Sequence, residues 1–209
     1  MAKVTIIPEW AAAAAPEPVR IFGVQLRPLS LGRYRLLQRF GCGFVEAEET
    51  LVGVADLMLG ILICSMRVDE FVEFASDPRS VKYLRRWGKR IRREIRADGG
   101  FSIYAKFGLF LHYLREGQRI PKYWEEGPQR ESLGPCHWSQ AVEVCLRSEL
   151  GWTKEEVDET PLAKAITDYF QHAQRMGAVR LMTAEEEAQG EANARVMEAL
   201  EAKLKEAKN

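Results

Sequence analysis

The stretch "EETLVGVADLMLGILICSM" (48–66) constrains the fold more than any other part of this chain of 209 residues. From Leu57 to Met66 no charged residue interrupts it, and that run is ten residues long, whereas a membrane-spanning helix needs about 20. A run of this length is covered by protein, so the segment reads as the central core helix. Glu46, Glu48 and Glu49 sit at its start, where the positive end of a helix favours acids. A buried helix needs neighbours with one apolar face each.

The chain supplies them on both sides. "VRIFGVQL" (19–26) places Val, Ile and Phe around Gly23 and suits one strand or a tight hairpin. Ser30 then offers an N-cap to a short amphipathic helix with Leu31, Tyr34, Leu37 and Phe40 at helical spacing, and Gly41 and Gly43 stop it. After the core helix, "VDEFVEFASDP" (68–78) repeats Val68, Phe71, Val72 and Ala75 on one face before Asp77 and Pro78 break it. A further apolar helix runs over 101–117 through Tyr104, Phe107, Leu109, Phe110, Leu111 and Leu114.

Residues 117–135 hold three glycines and three prolines and form the longest irregular connection. Beyond it come a segment at 137–152, a capped turn "TKEEVDET" (153–160) and a helix opened by Pro161 and stopped by Gly177. The C-terminal helix starts at Thr183 with Glu186 three residues on, the spacing of a capping box. Its Val196, Leu200 and Leu204 make a thin stripe, as expected of a helix that projects or docks on a partner. The pattern predicts a mainly α protein: a flexible arm over 1–18, a single helical core domain over 19–180 with a short N-terminal strand or hairpin, and a charged, extended helix over 181–209.

"RSVKYLRRWGKRIRREIR" (79–96) carries nine basic residues and one acid, Glu94, in a chain whose Lys+Arg and Asp+Glu totals are both 30. On a helix, Val81, Leu84, Trp87, Gly88, Ile91 and Ile95 share one face, and Lys82, Arg85, Arg86, Lys89, Arg93 and Arg96 share another. The leading expectation is a solvated outer face balanced by the acidic C-terminal half, since residues 1–120 hold 19 basic against 13 acidic residues and 121–209 hold 11 against 17. A protein partner is the next reading. Nucleic acid or lipid follows, because sequence-blind phosphate contacts need little more than such a charge run.

No catalytic constellation is legible. The glycine-flanked elbows and phosphate loops of known nucleophilic and nucleotide sites do not occur, and "GCG" at 41–43 is explained by a turn. Cys136, His137, Cys145 and His172 could be assembled into a metal set only with one ligand pair instead of two, so no metal or cofactor is expected. The four cysteines are widely spaced and read as reduced thiols, and the N-terminal apolar stretch is too broken for a signal peptide. "ELGWTKEEVDETPL" specifies a stiff helix–turn–helix corner, read as architecture or a peptide-docking surface, because the helix after it has few basic residues with which to read DNA.

Two stretches, "IFGVQLRPLSLGRYRLLQRFGCGFV" (21–45) with the helix ending "ILICS" (61–65), and "ELGWTKEEVDETPLAKAITDYF" (149–170), resemble proteins of phage and prophage tail modules described as tail assembly chaperones or tail accessory proteins. The likeness covers about a third of the chain. It implies an all-helical, non-enzymatic protein that binds the long tape-measure protein and keeps it in solution while tail-tube subunits assemble. It places the chain in the host cytoplasm, with the virion as the alternative location. The long connection and the charged C-terminal helix depart from the shorter members. A structural tail or neck subunit, or a nucleic-acid-binding protein using 79–96, is the alternative, and self-association is also open; no membrane partner is expected. The contact residues expected are Arg85, Arg86, Lys89, Arg93 and Arg96 on the basic face, with Tyr123 and Trp124 as aromatic anchors in the connection, because Arg and aromatic groups dominate interface energies.

Overall fold

The structure is a computed structural model that describes residues 18–45, 52–97, 101–125 and 137–206. The N-terminal arm, Pro18 excepted, lies outside the described residues, as do Glu46, Glu48 and Glu49. Strands β1 (Arg20–Ile21) and β2 (Val24–Gln25) pair antiparallel across Phe22 and Gly23, whose φ angles are +49° and +72°. Two positive φ values in succession are the signature of the tight hairpin turn, so the hairpin, not the single strand, is formed. Phe22 tolerates that backbone because its ring is buried.

Helix α1 (Leu31–Arg39) is capped by the Ser30 hydroxyl, which accepts from the Arg33 N–H, and Gly41 at φ +61° ends it. Its face is wider than the sequence suggests. Leu31, Gly32, Arg33, Tyr34, Leu36 and Leu37 are all buried, because α2 (Val54–Ser65), α3 (Val68–Ser76), α6 (Trp138–Ser148) and α7 (Lys154–Glu159) pack around it. The centre of the fold is therefore shared between α1 and the expected core helix α2, whose Leu57, Ile61, Ile63 and Cys64 have no exposed surface. The acid at the start of α2 is Asp56, whose carboxylate accepts from Gly53 N–H at 2.8 Å and Gly43 N–H at 3.2 Å.

The corner at 149–162 is architecture. Thr153 and Glu156 form the capping box of α7, and Val157 is buried. Arg33, 1% exposed, reaches from α1 to Glu159 at 2.5 Å, to the Met66 carbonyl at 2.9 Å and to the Ser30 hydroxyl at 3.0 Å. Glu159 in turn accepts from the Val68 N–H at 2.8 Å, Ser30 donates to the Asp158 carbonyl, and Leu162 N–H donates to the Leu29 carbonyl at 2.7 Å. Gly32 makes the approach possible, since a Cβ there would stand 2.8 Å from the Asp158 carbonyl oxygen. The "RPLSLGR" and "GWTKEEVDETPL" segments are thus two halves of one clamp.

Two expectations about helix faces and one about the long connection are corrected. In α3 it is Phe71 and Phe74 that turn inward, Phe74 against the Tyr83 ring, while Val72 is 48% exposed and Ala75 is exposed. Helix α5 (Phe101–Gly117) buries Phe110, Tyr113 and Leu114 but leaves Tyr104, Leu109 and Leu111 in solvent. The connection after it is not wholly irregular: β3 (Tyr123–Glu125) pairs antiparallel with β4 (Val179–Leu181), setting Trp124 opposite Arg180. Residues 126–136 lie outside the described residues. Helices α4 (Ser80–Ala97), α8 (Leu162–Arg175) and α9 (Ala184–Glu206) complete a mainly helical protein. No helix among the described residues is long and apolar enough to cross a membrane.

Burial at the α2–α5 contact leaves a pH signature. Burial pushes the Cys64 thiol up to about 12, and burial raises the Tyr113 hydroxyl, which lies beside it and donates to the Arg27 carbonyl at 2.8 Å. In an unfolded chain a thiol ionises near about 8.5 and a tyrosine near about 10. Below those values both states hold their protons and stability is unaffected; above them the unfolded chain releases protons that the folded chain keeps, so stability falls as pH rises. The melting temperature is expected to decline progressively above about pH 8.5. The decline should flatten in Cys64→Ala and in Tyr113→Phe, and an unchanged slope in both would remove this cause.

Candidate interaction surface

Helix α4 is the amphipathic rod that the sequence describes, with one exception. Trp87, Gly88 and Ile91 are buried and Leu84 and Ile95 are partly buried, but Val81 is 52% exposed. Gly88 brings α2 close: a Cβ there would be 3.3 Å from the Met58 methyl. The helix packs mainly on α3 and α5, and its 18 residues span about 27 Å at 1.5 Å each.

Every basic side chain of that helix is exposed: Lys82, Arg85, Arg86, Lys89, Arg90, Arg92, Arg93 and Arg96. Arg92 bonds back to the Gly88 carbonyl at 3.2 Å, and the Arg90 guanidinium lies about 4 Å from the Cβ position of Gly23 in the hairpin turn. Arg85, Arg86, Lys89, Arg93 and Arg96 form no ion pair among the described residues. Like charges four residues apart, such as Lys82/Arg86, Arg85/Lys89 and Lys89/Arg93, each cost a few tenths of a kcal/mol (about 0.2–0.5) in a helix. The buried apolar face holds the helix together against that repulsion, and a matching anion would relieve it.

The face is solvated, in line with the leading expectation, and among the described residues no ion pair from the acidic half reaches it. Several of the 17 acids of that half pair with other cations, among them Glu143 with Arg35 and Arg147, Glu155 with Arg67, Glu159 with Arg33, Glu186 with Arg180 and Glu187 with Lys122. Glu143 shows the result. Although burial opposes it, the bonds from Arg35 and Arg147 hold its carboxyl below the usual range.

No protein-family model, curated protein or solved structure matches this chain.

Tyr123 and Trp124 are strand residues, not loop residues, and alternate across β3, so they point to opposite sides. The Tyr123 ring packs on Phe170 with centroids 4.6 Å apart, which commits it partly to the fold. Trp124 is 50% exposed. Since β3 belongs with β4 and α4 with α3 and α5, the basic and aromatic groups stand on separate elements.

Further apolar side chains are exposed on other helices. Tyr104 is the barest of them at 77%, and Met197 accompanies Val196 and Leu200 on α9. The signal for Tyr104 was available, because α5 has more apolar positions than one helix face can hold.

Of the imagined metal set, Cys136 lies outside the described residues and His137 caps α6, its Nδ1 accepting from the Ser139 N–H at 3.3 Å. Among the described residues no group of three His, Cys, Asp or Glu could hold a metal ion. Open clefts lie among the described residues. One of about 460 Å³ is walled by Leu26, Arg27, Ser65 and Tyr113; another of about 390 Å³ lies between Arg35, Gln38, His137 and Glu143.

Proposed function

We propose that this chain is a non-enzymatic interaction protein of phage tail assembly that receives a helical partner, such as a tape-measure protein, on the outer face of α4. The observation that carries this reading is the row of exposed arginines and lysines without an ion-pair partner among the described residues, set on a helix whose inner face is packed. A rigid charged helix selects an amphipathic helix with acidic flanks, and long arginine stems supply apolar contact beside the charge. The tail-module resemblance of the "RPLSLGR" and "GWTKEEV" segments supplies the context. The chain would act in the host cytoplasm as a chaperone, with a place in the virion as a structural subunit the alternative.

Co-expression with a tape-measure protein of the same genome segment tests it. The parent chain is expected to keep the tape-measure protein in the soluble fraction and to co-purify with it. Arg85→Glu/Arg86→Glu/Lys89→Glu should weaken the complex by about tenfold to a hundredfold, chiefly through charge complementarity, while the melt holds or rises, since the new acids attract Lys82, Arg90 and Arg93 four residues away. Equal binding by the triple variant would take the partner off this face.

The same charge favours a second reading, nucleic-acid binding. It predicts tight binding to nonspecific DNA with a steep loss between low and moderate salt. A flat or undetectable titration leaves the protein-partner reading in place.

A further inference from the structure

Helix α5 is apolar on both of its faces, and the fold covers only one. Phe110, Tyr113 and Leu114 are buried, whereas Tyr104, Ala105, Gly108, Leu111 and His112 are exposed among the described residues, Tyr104 at 77% and Leu111 at 38%. Tyr104, Gly108, Leu111 and Arg115 follow one another at spacings of four, three and four, so they share one helix face with Gly108 near its middle. No Asp, Glu, Lys or Arg interrupts that face between Tyr104 and His112, because Lys106 turns away to lie over the buried Phe22 ring. A helix that is apolar all round belongs under cover. Gly108 is the second observation. Glycine is the least favourable helix residue after proline, and the other helices place it where a neighbour needs the room: Gly32 admits the Asp158 carbonyl, Gly60 the Phe110 ring and Gly88 the Met58 methyl. A Cβ at Gly108 would meet nothing within 4 Å. The same holds at Gly190, but that glycine follows Glu186 and Glu187 by one helical turn, whereas Gly108 lies between Tyr104 and Leu111.

We propose that Gly108 admits the α5 helix of a second copy of this chain, the two helices pairing antiparallel about a two-fold axis at Gly108. A neutral face offers nothing to the acidic flanks that α4 would select, and it fits its own reverse. With Gly108 on the axis, Ala105 stands opposite the second copy's Leu111 and Tyr104 opposite its His112, so that small meets large and both partners use the same patch. Glycine facing glycine lets the two backbones approach closely. Arg115 lies one turn beyond His112, within reach of the second copy's Tyr104 ring, where a guanidinium over an aromatic face is attracted to it. The two Arg115 groups stay at opposite ends of the contact, about 21 Å apart along the axis at 1.5 Å per residue. Antiparallel packing also sets opposite helix ends side by side, which the helix dipoles favour. A standard interface takes about 800 Å² from each copy, more than the exposed face of one helix supplies, so the pair is expected to dissociate at about 10–100 µM. This pairing does not depend on the partner reading of α4.

Sedimentation of the full chain over about 1 to 500 µM, a range that brackets that constant, reads the result. The parent is expected at the 23.8 kDa chain mass at the dilute end and near twice that mass at the concentrated end, and to behave alike in about 0.5 M salt, where pairing driven by charge is screened. Gly108→Lys sets a long charged side chain on the axis, facing its own copy. It should raise the dissociation constant at least about tenfold while the melt holds or rises, because the position is open and lysine favours the helix. Gly108→Cys tests the geometry separately, since a disulfide needs Cα atoms about 4.4–6.8 Å apart and only a residue at the axis meets itself. Under a mild oxidant this variant should cross-link at least about tenfold faster than Glu73→Cys, a control at an exposed position on α3, because pairing raises the effective concentration of one thiol at the other. A parent that stays at the single mass throughout overturns the pairing, and so does a dimer that salt dissolves. A Gly108→Lys chain that associates like the parent, or a Gly108→Cys chain that cross-links no faster than the control, overturns it as well.

Discussion

Arg33→Ala is expected to cost about 3–5 kcal/mol, the loss seen when one member of a buried ion pair is removed and the other stays behind. In a chain of this size that is a fall of about 6–20 °C in melting temperature. The cost is high because the guanidinium, 1% exposed, serves four acceptors: the Pro28 and Met66 carbonyls, the Ser30 hydroxyl and Glu159. Removing it leaves the Pro28 and Met66 carbonyls and the Ser30 hydroxyl without their donor, while Glu159, 23% exposed, turns to solvent. Glu159→Gln should cost less, since an amide oxygen can still accept from the Val68 N–H that Glu159 now receives at 2.8 Å. Exchanging both members for methionine, often neutral for an isolated buried pair, should recover little here, because the backbone groups stay unpaired. Thermal and urea unfolding of the three variants measure this. An Arg33→Ala chain melting within about 2 °C of the parent would mean that the clamp between α1 and α7 contributes little.

That clamp marks the limit of what the sequence reveals. Ser30, Thr153 and Thr183 were legible as caps because the signal is local: a hydroxyl three residues ahead of the N–H it accepts, with Glu156 and Glu186 completing two capping boxes. The split of α4 into packed and solvated faces was legible for the same reason. Pairings between distant segments were not. Arg33 stands 126 residues from Glu159, and nothing at either position distinguishes a buried arginine from the exposed ones of α4. The strand at Tyr123–Glu125 was missed because it has three residues and its partner lies beyond α8, so no alternation could develop. In α3 and α5 the apolar positions outnumber those a single face can bury, and only the neighbours decide that Phe74 is covered and Val72 is not. For the candidate surface, the residues of α4 could be named from spacing alone, but that Glu143, Glu155 and Glu186 pair with Arg35, Arg67 and Arg180 instead of with α4 depends on the tertiary fold.

Phe110→Ala should cost about 3–5 kcal/mol, and the size of the effect at Gly60 should then change. The Phe110 ring has no exposed surface, meets Phe44 edge-on at 4.9 Å and stacks on Tyr113 at 5.7 Å, so its loss opens a cavity between α2 and α5. Gly60 exists to admit that ring: a Cβ at this position would stand 2.4 Å from the ring's Cζ. In the parent, Gly60→Ala forces the ring aside at a cost of about 1–3 kcal/mol, against a gain of about 1 kcal/mol in helix propensity. In the Phe110→Ala background the added methyl enters vacated space, so the same substitution becomes neutral or stabilising. Denaturant unfolding of the four chains closes a double-mutant cycle, with an expected coupling of about 1–3 kcal/mol. A Gly60→Ala effect that is equal in both backgrounds would mean that the ring does not lie against this glycine and that α2 and α5 meet in another register.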